Sequence, residues 1–141
     1  MNNETLKTLN KNNVILGKDF FISNKRNHYR NIFDVKTQNA IIMVNNERAT
    51  VNEVTDFSDY ISKIIDEGKT KIIIDFENVY FMDSIFFGTL VKYLKIVNKK
   101  SGYIKLIVDF KSKPQLLSLS TFEGIFEIYP NLFDALNTSY N

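Results

Sequence analysis

Residues 71–75, Lys-Ile-Ile-Ile-Asp, set three isoleucines in a row between polar ends. Successive side chains of an extended chain point to opposite faces, so Ile72 and Ile74 look one way and Ile73 the other. Such a strand is stable only when both faces are covered, as in a parallel sheet with other layers packed on it. Helical patterns stand on either side of the run. Upstream, Phe57, Tyr60, Ile61, Ile64 and Ile65 recur at the i, i+3, i+4, i+7, i+8 spacing of one stripe, and Gly68 stands at its C-terminal end. Downstream, Phe86, Leu90, Leu94 and Val97 form a second stripe that Gly102 is expected to end. Lys92, Lys95, Lys99 and Lys100 gather toward its C-terminal half, where the helix dipole favours cations.

The rest of the chain continues this alternation. Residues 31–38 and 39–46 read as two strands joined through a polar turn, a hairpin. Residues 103–110 read as a strand. Residues 113–124 read as a short helix with Pro114 in its first turn, and 125–130 as a last strand. A terminal helix follows, with Asn131 as N-cap and Asp134 at the capping-box position. The predicted class is α/β: a four- to five-stranded, mostly parallel but mixed sheet flanked by about four helices. Residues 31–141 are expected to form that domain. Residues 1–30 are expected to be an N-terminal extension, partly disordered or docked, frayed over 1–13 and with a short strand or turn over 14–22.

Composition narrows the chemistry. The chain of 141 residues has no cysteine and one histidine, His28. Disulfides, thiolate metal sites, Cys nucleophiles and multi-His metal sites are excluded. No apolar run approaches the roughly 18 to 20 residues that span a bilayer, and the polar N-terminus does not read as a signal peptide. Charge is uneven: residues 1–30 carry six Lys/Arg and two acids, whereas the remainder carries twelve Lys/Arg and fourteen acids. The body is therefore slightly acidic, and no nucleic-acid partner is expected for it. The basic tract at 25–30 reads as a solvated segment or a contact for an acidic partner or RNA. Asp75, Glu77, Asp83 and Asp109 fall near strand ends, where they are solvated, cap helices or cluster around Mg²⁺.

Residues 81–90, Phe-Met-Asp-Ser-Ile-Phe-Phe-Gly-Thr-Leu, switch from strand to helix. Asp83 is a good N-cap and Ser84 then opens the first turn, so capping alone accounts for the pair. Two further properties favour a role for the serine. A helix N-terminus after a parallel strand lies at the carboxyl edge of the sheet, where ligands and partners bind. Its amide dipoles also accommodate the roughly two negative charges of a phosphoserine. Ser84 as a nucleophile lacks a histidine base, since His28 lies in the extension; a lysine base stays open but no spacing suggests one, and neither a G-x-S-x-G elbow nor a glycine-rich phosphate loop is present. An enzyme is not expected.

The stretch 71–110, with the later Phe-Glu-Gly-Ile-Phe-Glu-Ile-Tyr-Pro-Asn-Leu-Phe-Asp-Ala-Leu, resembles a STAS domain of the anti-sigma factor antagonist type. The matching features are a buried strand ending at Asp75, an apolar and aromatic segment from Val79 to Met82, then Asp83, Ser84, three residues and Gly88 before a helix. The resemblance covers roughly residues 31–138. It implies a STAS-like fold and a cytoplasmic partner switch without a cofactor. The unphosphorylated form would bind an anti-sigma factor with serine kinase activity. Phosphorylation of Ser84 would release that partner, and a serine phosphatase would restore binding. Where that family carries small residues after the serine, this chain has Ile85, Phe86 and Phe87. Phe86 fits the buried stripe. Ile85 and Phe87 are expected at the partner face, together with Asp83, Ser84 and, from the loop at 46–53, Glu47, Arg48, Thr50 and Asn52. The alternative is a STAS scaffold subunit of a signalling or lipid-transport complex that works without phosphorylation. A small-ligand binder or enzyme using the acidic strand ends is a third reading.

Overall fold

A computed structural model of the chain describes residues 28–116 and 124–138, together with the backbone of 9–10 and 13–14. Two short strands, β1 (Leu9–Asn10) and β2 (Asn13–Val14), pair antiparallel in a stretch expected to lack regular structure. Then come β3 (Tyr29–Asp34), β4 (Asn39–Val44), β5 (Arg48–Ala49), a 3₁₀ turn (Val51–Glu53) and α1 (Val54–Asp66). They are followed by β6 (Lys71–Asp75), β7 (Phe81–Met82), α2 (Ser84–Asn98), β8 (Tyr103–Ile107), β9 (Glu127–Tyr129) and α3 (Leu132–Asn137). Of the short helix expected over 113–124, a 3₁₀ turn at 114–116 is seen and the stretch 117–123 lies outside the described residues. The reading of 14–22 as a short strand or turn likewise lies outside them, apart from Val14.

The main sheet runs β3-β4-β6-β8-β9, with only the β3–β4 pair antiparallel. The expected hairpin is that pair, and its turn places Gln38 at a φ of 63°. β6 holds the centre of the sheet, and its three isoleucines divide between the faces. Ile72 and Ile74 join Phe57, Phe86, Ile42, Ile104 and Leu106 in the larger core under α1 and α2. Ile73 belongs to a smaller cluster with Ile41, Ile107, Tyr129 and Ala135 of α3. The rings of Phe57 on α1 and Phe86 on α2 meet at 4.8 Å, so the two helices share one aromatic seam over the sheet.

Two boundaries depart from the sequence reading. The first sheet strand begins at Tyr29, inside the segment read as extension, and Tyr29 is buried against Phe57. Gly68 does stand after α1 with a φ of 89°, as expected. Gly102 does not terminate α2: that helix stops at Asn98, and the left-handed residue after it is Ser101, with a φ of 62°. The glycine is required for another reason, because a Cβ on residue 102 would lie 2.0 Å from the Thr70 carbonyl oxygen.

Candidate functional site

The strand-to-helix switch at Asp83 is built as the local sequence predicts. Asp83 has extended backbone and accepts the Phe86 amide on its carboxylate at 2.8 Å, which makes it the N-cap of α2. The other carboxylate oxygen accepts the Val51 amide at 2.9 Å. One side chain thus caps α2 and pins the start of the 3₁₀ turn, 32 residues earlier in the chain.

That second bond rests on a small structure that the sequence reading missed. β5 and β7 pair in parallel, Arg48 opposite Phe81 and Ala49 opposite Met82. The Tyr80 amide donates to the Glu47 carbonyl at 2.7 Å, and the Asp83 amide to the Ala49 carbonyl at 3.1 Å. The loop at 46–53 is therefore stitched to the segment leading into Ser84. Its turn is closed by a capping box, in which Glu53 accepts the Thr50 amide at 2.8 Å and Thr50 accepts the Asn52 amide at 3.2 Å. The signal for this box, Thr-Val-Asn-Glu at 50–53, was present in the sequence.

Ser84 sits exposed at the first position of α2, beside Ile85, which is 54% exposed. Among the described residues, the Ser84 and Ile85 amides have no hydrogen-bond partner. Exposed Val51, Phe81 and Tyr80 stand on the stitched segments next to them, and the Arg48 guanidinium lies over the Phe81 ring at 4.6 Å. The outcome is a rim that combines one hydroxyl, a helix N-terminus with open amides, a cation and several exposed apolar side chains.

The sequence-predicted residues divide accordingly. Glu47, Arg48, Asn52, Ser84 and Ile85 are exposed on this rim, and Asp83 is half-buried as its cap. Two expectations are corrected. Phe87 does not face outward: it is 6% exposed and packs its ring edge-on against Phe126 at 5.5 Å. A second layer, the segment entering β9, covers the flank of α2 that a single-stripe reading leaves open. Thr50 is likewise buried, its hydroxyl donating to Glu53 at 2.8 Å. Exposed Val51, Tyr80 and Phe81 carried no sequence signal, because nothing in a short apolar run says which side chains the tertiary fold leaves uncovered.

The acids at the strand ends do not act together. Asp83 is the cap, whereas Asp75, Glu77 and Asp109 line a separate cleft at the carboxyl ends of β6 and β8. Burial, the largest effect, raises the Asp75 carboxyl above its usual range, against the opposing pull of the hydrogen bond from the Glu77 amide and of the Lys113 charge. The hydrogen bond from the Ser112 hydroxyl holds Asp109 below that range. Among the described residues, no group of three or more metal-ligating side chains could hold a metal ion, and no helix is long and apolar enough to cross a membrane.

Comparison with known proteins agrees with this architecture. The family profile described as STAS domain matches residues 32–135. A candidate anti-sigma factor antagonist of Thermotoga neapolitana is 23% identical over 100 residues, which span 70% of this chain and 88% of that protein. The structure of an anti-sigma-factor antagonist (STAS) domain protein from Planctomyces limnophilus superposes with a TM-score of 0.64. It is 20% identical and covers 77% of this chain and 94% of its own. The Bacillus cell fate determinant SpoIIAA, solved in its phosphorylated form, superposes with a TM-score of 0.55. It is 19% identical and covers 77% of this chain and 96% of its own.

Proposed function

The chain belongs to the STAS domain family, and from that premise we propose that it is a non-enzymatic, cytoplasmic anti-sigma factor antagonist whose binding is switched at Ser84. The observation that carries this reading is the exposed serine at the capped N-terminus of α2, inside a rim of exposed apolar side chains. An unphosphorylated rim offers Val51, Phe81 and Ile85 to an anti-sigma factor with serine kinase activity. Burying them would supply roughly 25 cal/mol for each square ångström removed from water. A phosphate on Ser84 adds about two charges at the centre of that contact, where the open amides of Ser84 and Ile85 and the helix dipole stabilise it in the free protein. Docking would then have to desolvate a dianion, so the partner leaves. A serine phosphatase resets the cycle. That a Bacillus protein of the same fold has been solved phosphorylated supports the reading.

The test incubates the full chain with ATP and an anti-sigma kinase from the same genome. Phosphate is expected on Ser84 and absent from Ser84→Ala, and Ser84→Asp is expected to weaken kinase binding by at least about tenfold, near 1.4 kcal/mol. Absence of phosphorylation together with equal binding by both variants would sink the proposal.

A second reading has its own support. Ile85 at 54% and Val51 at 57% exposure beside the serine suit a permanent apolar interface. The chain would then be a STAS scaffold subunit of a signalling or lipid-transport complex. Co-purification of a stable complex that ignores both ATP and Ser84 substitution would select that reading.

A further inference from the structure

β3 (Tyr29–Asp34) is an edge strand. Among the described strands its one neighbour is β4, and the register between them runs unbroken from Tyr29 to Asp34. The outer edge of such a strand offers unpaired backbone groups to another chain, and proteins commonly guard it with a central charge, a proline or a bulge. β3 has no proline and no bulge, and its centre is apolar: Ile32 is 57% exposed.

The two faces of the strand differ. Tyr29 packs against Phe57, the Asn31 side chain donates to the Tyr60 hydroxyl at 2.5 Å, and Phe33 packs against the larger core. These three face α1, so the alternation of a strand sends Arg30, Ile32 and Asp34 to the opposite face. There Arg30 is exposed and, among the described residues, has no hydrogen-bond or ion-pair partner. One Asp34 carboxylate oxygen accepts the Thr37 hydroxyl at 2.5 Å, and the other has no partner among the described residues. Ile32 ends a row of isoleucines that crosses this face, Ile73 beside Ile41 and Ile41 beside Ile32.

The backbone decides which residues can bond outward. The His28 carbonyl accepts the Asn45 amide at 2.7 Å, so the even-numbered residues of β3 exchange their bonds with β4. The backbone groups of Asn31 and Phe33 therefore point to the open edge. An antiparallel pairing of two copies about Ile32 meets that condition, with Asn31 bonding to Phe33 of the second copy. Ile32 then faces Ile32, and Arg30 faces Asp34 of the second copy twice, at the non-hydrogen-bonded positions where cross-strand side chains lie closest. A shift of two residues either way loses both charge pairs. A shift of four sets Arg30 on Arg30 or Asp34 on Asp34, and in-register parallel pairing also opposes like charges. The pattern Arg-x-Ile-x-Asp is thus complementary to itself in one antiparallel register, the property that a two-fold contact requires. We propose that β3 is a contact between two copies of this chain, related by a two-fold axis at Ile32 and joined in one continuous sheet.

Sedimentation equilibrium of the full chain is expected to show a monomer–dimer equilibrium with a dissociation constant of roughly 10 µM to 1 mM, as suits a small contact. Arg30→Asp and Asp34→Arg each place like charges opposite one another at two points, and each is expected to weaken the dimer by at least about tenfold. The two exchanges together restore opposite charges and are expected to return it to within about threefold of the parent. On the unaltered chain, hydrogen exchange of the Asn31 and Phe33 amides is expected to slow as concentration rises, while the Arg30 and Ile32 amides, bonded to β4, stay unchanged. That measurement keeps the test open even if a variant loosens the turn at Thr37. The proposal fails if the chain is still monomeric at about 1 mM. It also fails if the dimer ignores the single exchanges, if a folded double variant is as weak as the singles, or if the Asn31 and Phe33 amides exchange equally fast at all concentrations.

Discussion

Asp83 shows how much one residue can carry when its two oxygens serve different elements. Removing the carboxylate frees the Phe86 amide at the head of α2 and the Val51 amide at the head of the 3₁₀ turn. Asp83→Ala is expected to cost about 2 to 3 kcal/mol, the sum of a lost cap and a second charge-assisted bond. Asparagine keeps one carbonyl oxygen, enough for Phe86, but turns an amide donor toward the Val51 N–H. Asp83→Asn is therefore expected to cost about 1 kcal/mol, and chemical denaturation of the two variants separates the roles. Equal losses would mean that the cap on Phe86 contributes nothing, and an Asp83→Asn variant as stable as the parent would mean the same of the bond to Val51. The cap was legible in the sequence because capping is decided within three or four residues. The bond to Val51 was not, since it depends on a pairing between β5 and β7. Phe87 was misplaced for the same reason: its cover, Phe126, lies 39 residues further along.

At the level of elements, periodicity located α1, α2 and β6, because each buries a stripe or a face against the whole rest of the fold. Elements of two or three residues, such as β5 and β7, have too few positions to carry a period. Glycine was the least transparent signal. Gly102 reads as a helix stop, whereas its work is to let the start of β8 pass against Thr70, whose backbone and side-chain carbons both lie 2.7 Å from where a Cβ would be. Gly88 was expected just before the helix, yet it lies inside α2 with nothing within 4 Å of an added Cβ. The two should respond oppositely to alanine. Gly102→Ala is expected to destabilise by about 2 kcal/mol or more, since backbone rather than a flexible side chain must move. Gly88→Ala is expected to stabilise by roughly 0.5 to 1 kcal/mol through helix propensity alone. Thermal melting of both variants is the measurement, and a destabilised Gly88→Ala would mean that this position meets something besides solvent.

Across the whole molecule, the two faces of the sheet are unequally secured. One face carries α1 and α2 over the larger core. The other has α3, a six-residue helix with one fully buried residue, Ala135, and with Phe133 left 73% exposed. Besides the packing of Ala135 and Leu136 in the smaller cluster, one polar side chain ties α3 down. Lys105 rises from β8, donates to the Ala135 carbonyl at 2.8 Å and the Thr138 carbonyl at 2.7 Å, and lies near the rings of Tyr103 and Tyr129. It thus satisfies carbonyls that the end of a helix leaves open. Burial lowers its pKa, so the folded protein holds this proton less tightly than the unfolded chain. Stability from this group therefore rises with pH through the window between the lowered and the ordinary lysine value. Local opening should follow the same asymmetry. Hydrogen exchange is expected to find the α3 amides open at a free energy well below those of α2, β6 and β8. Lys105→Met, which removes both bonds but keeps the stem, should speed exchange in α3 by about tenfold while leaving α2 unchanged, the effect of losing one to two hydrogen bonds to a charged donor. Equal protection of α3 and α2, or a uniform rise across the sheet in the variant, would show instead that both faces unfold as one unit.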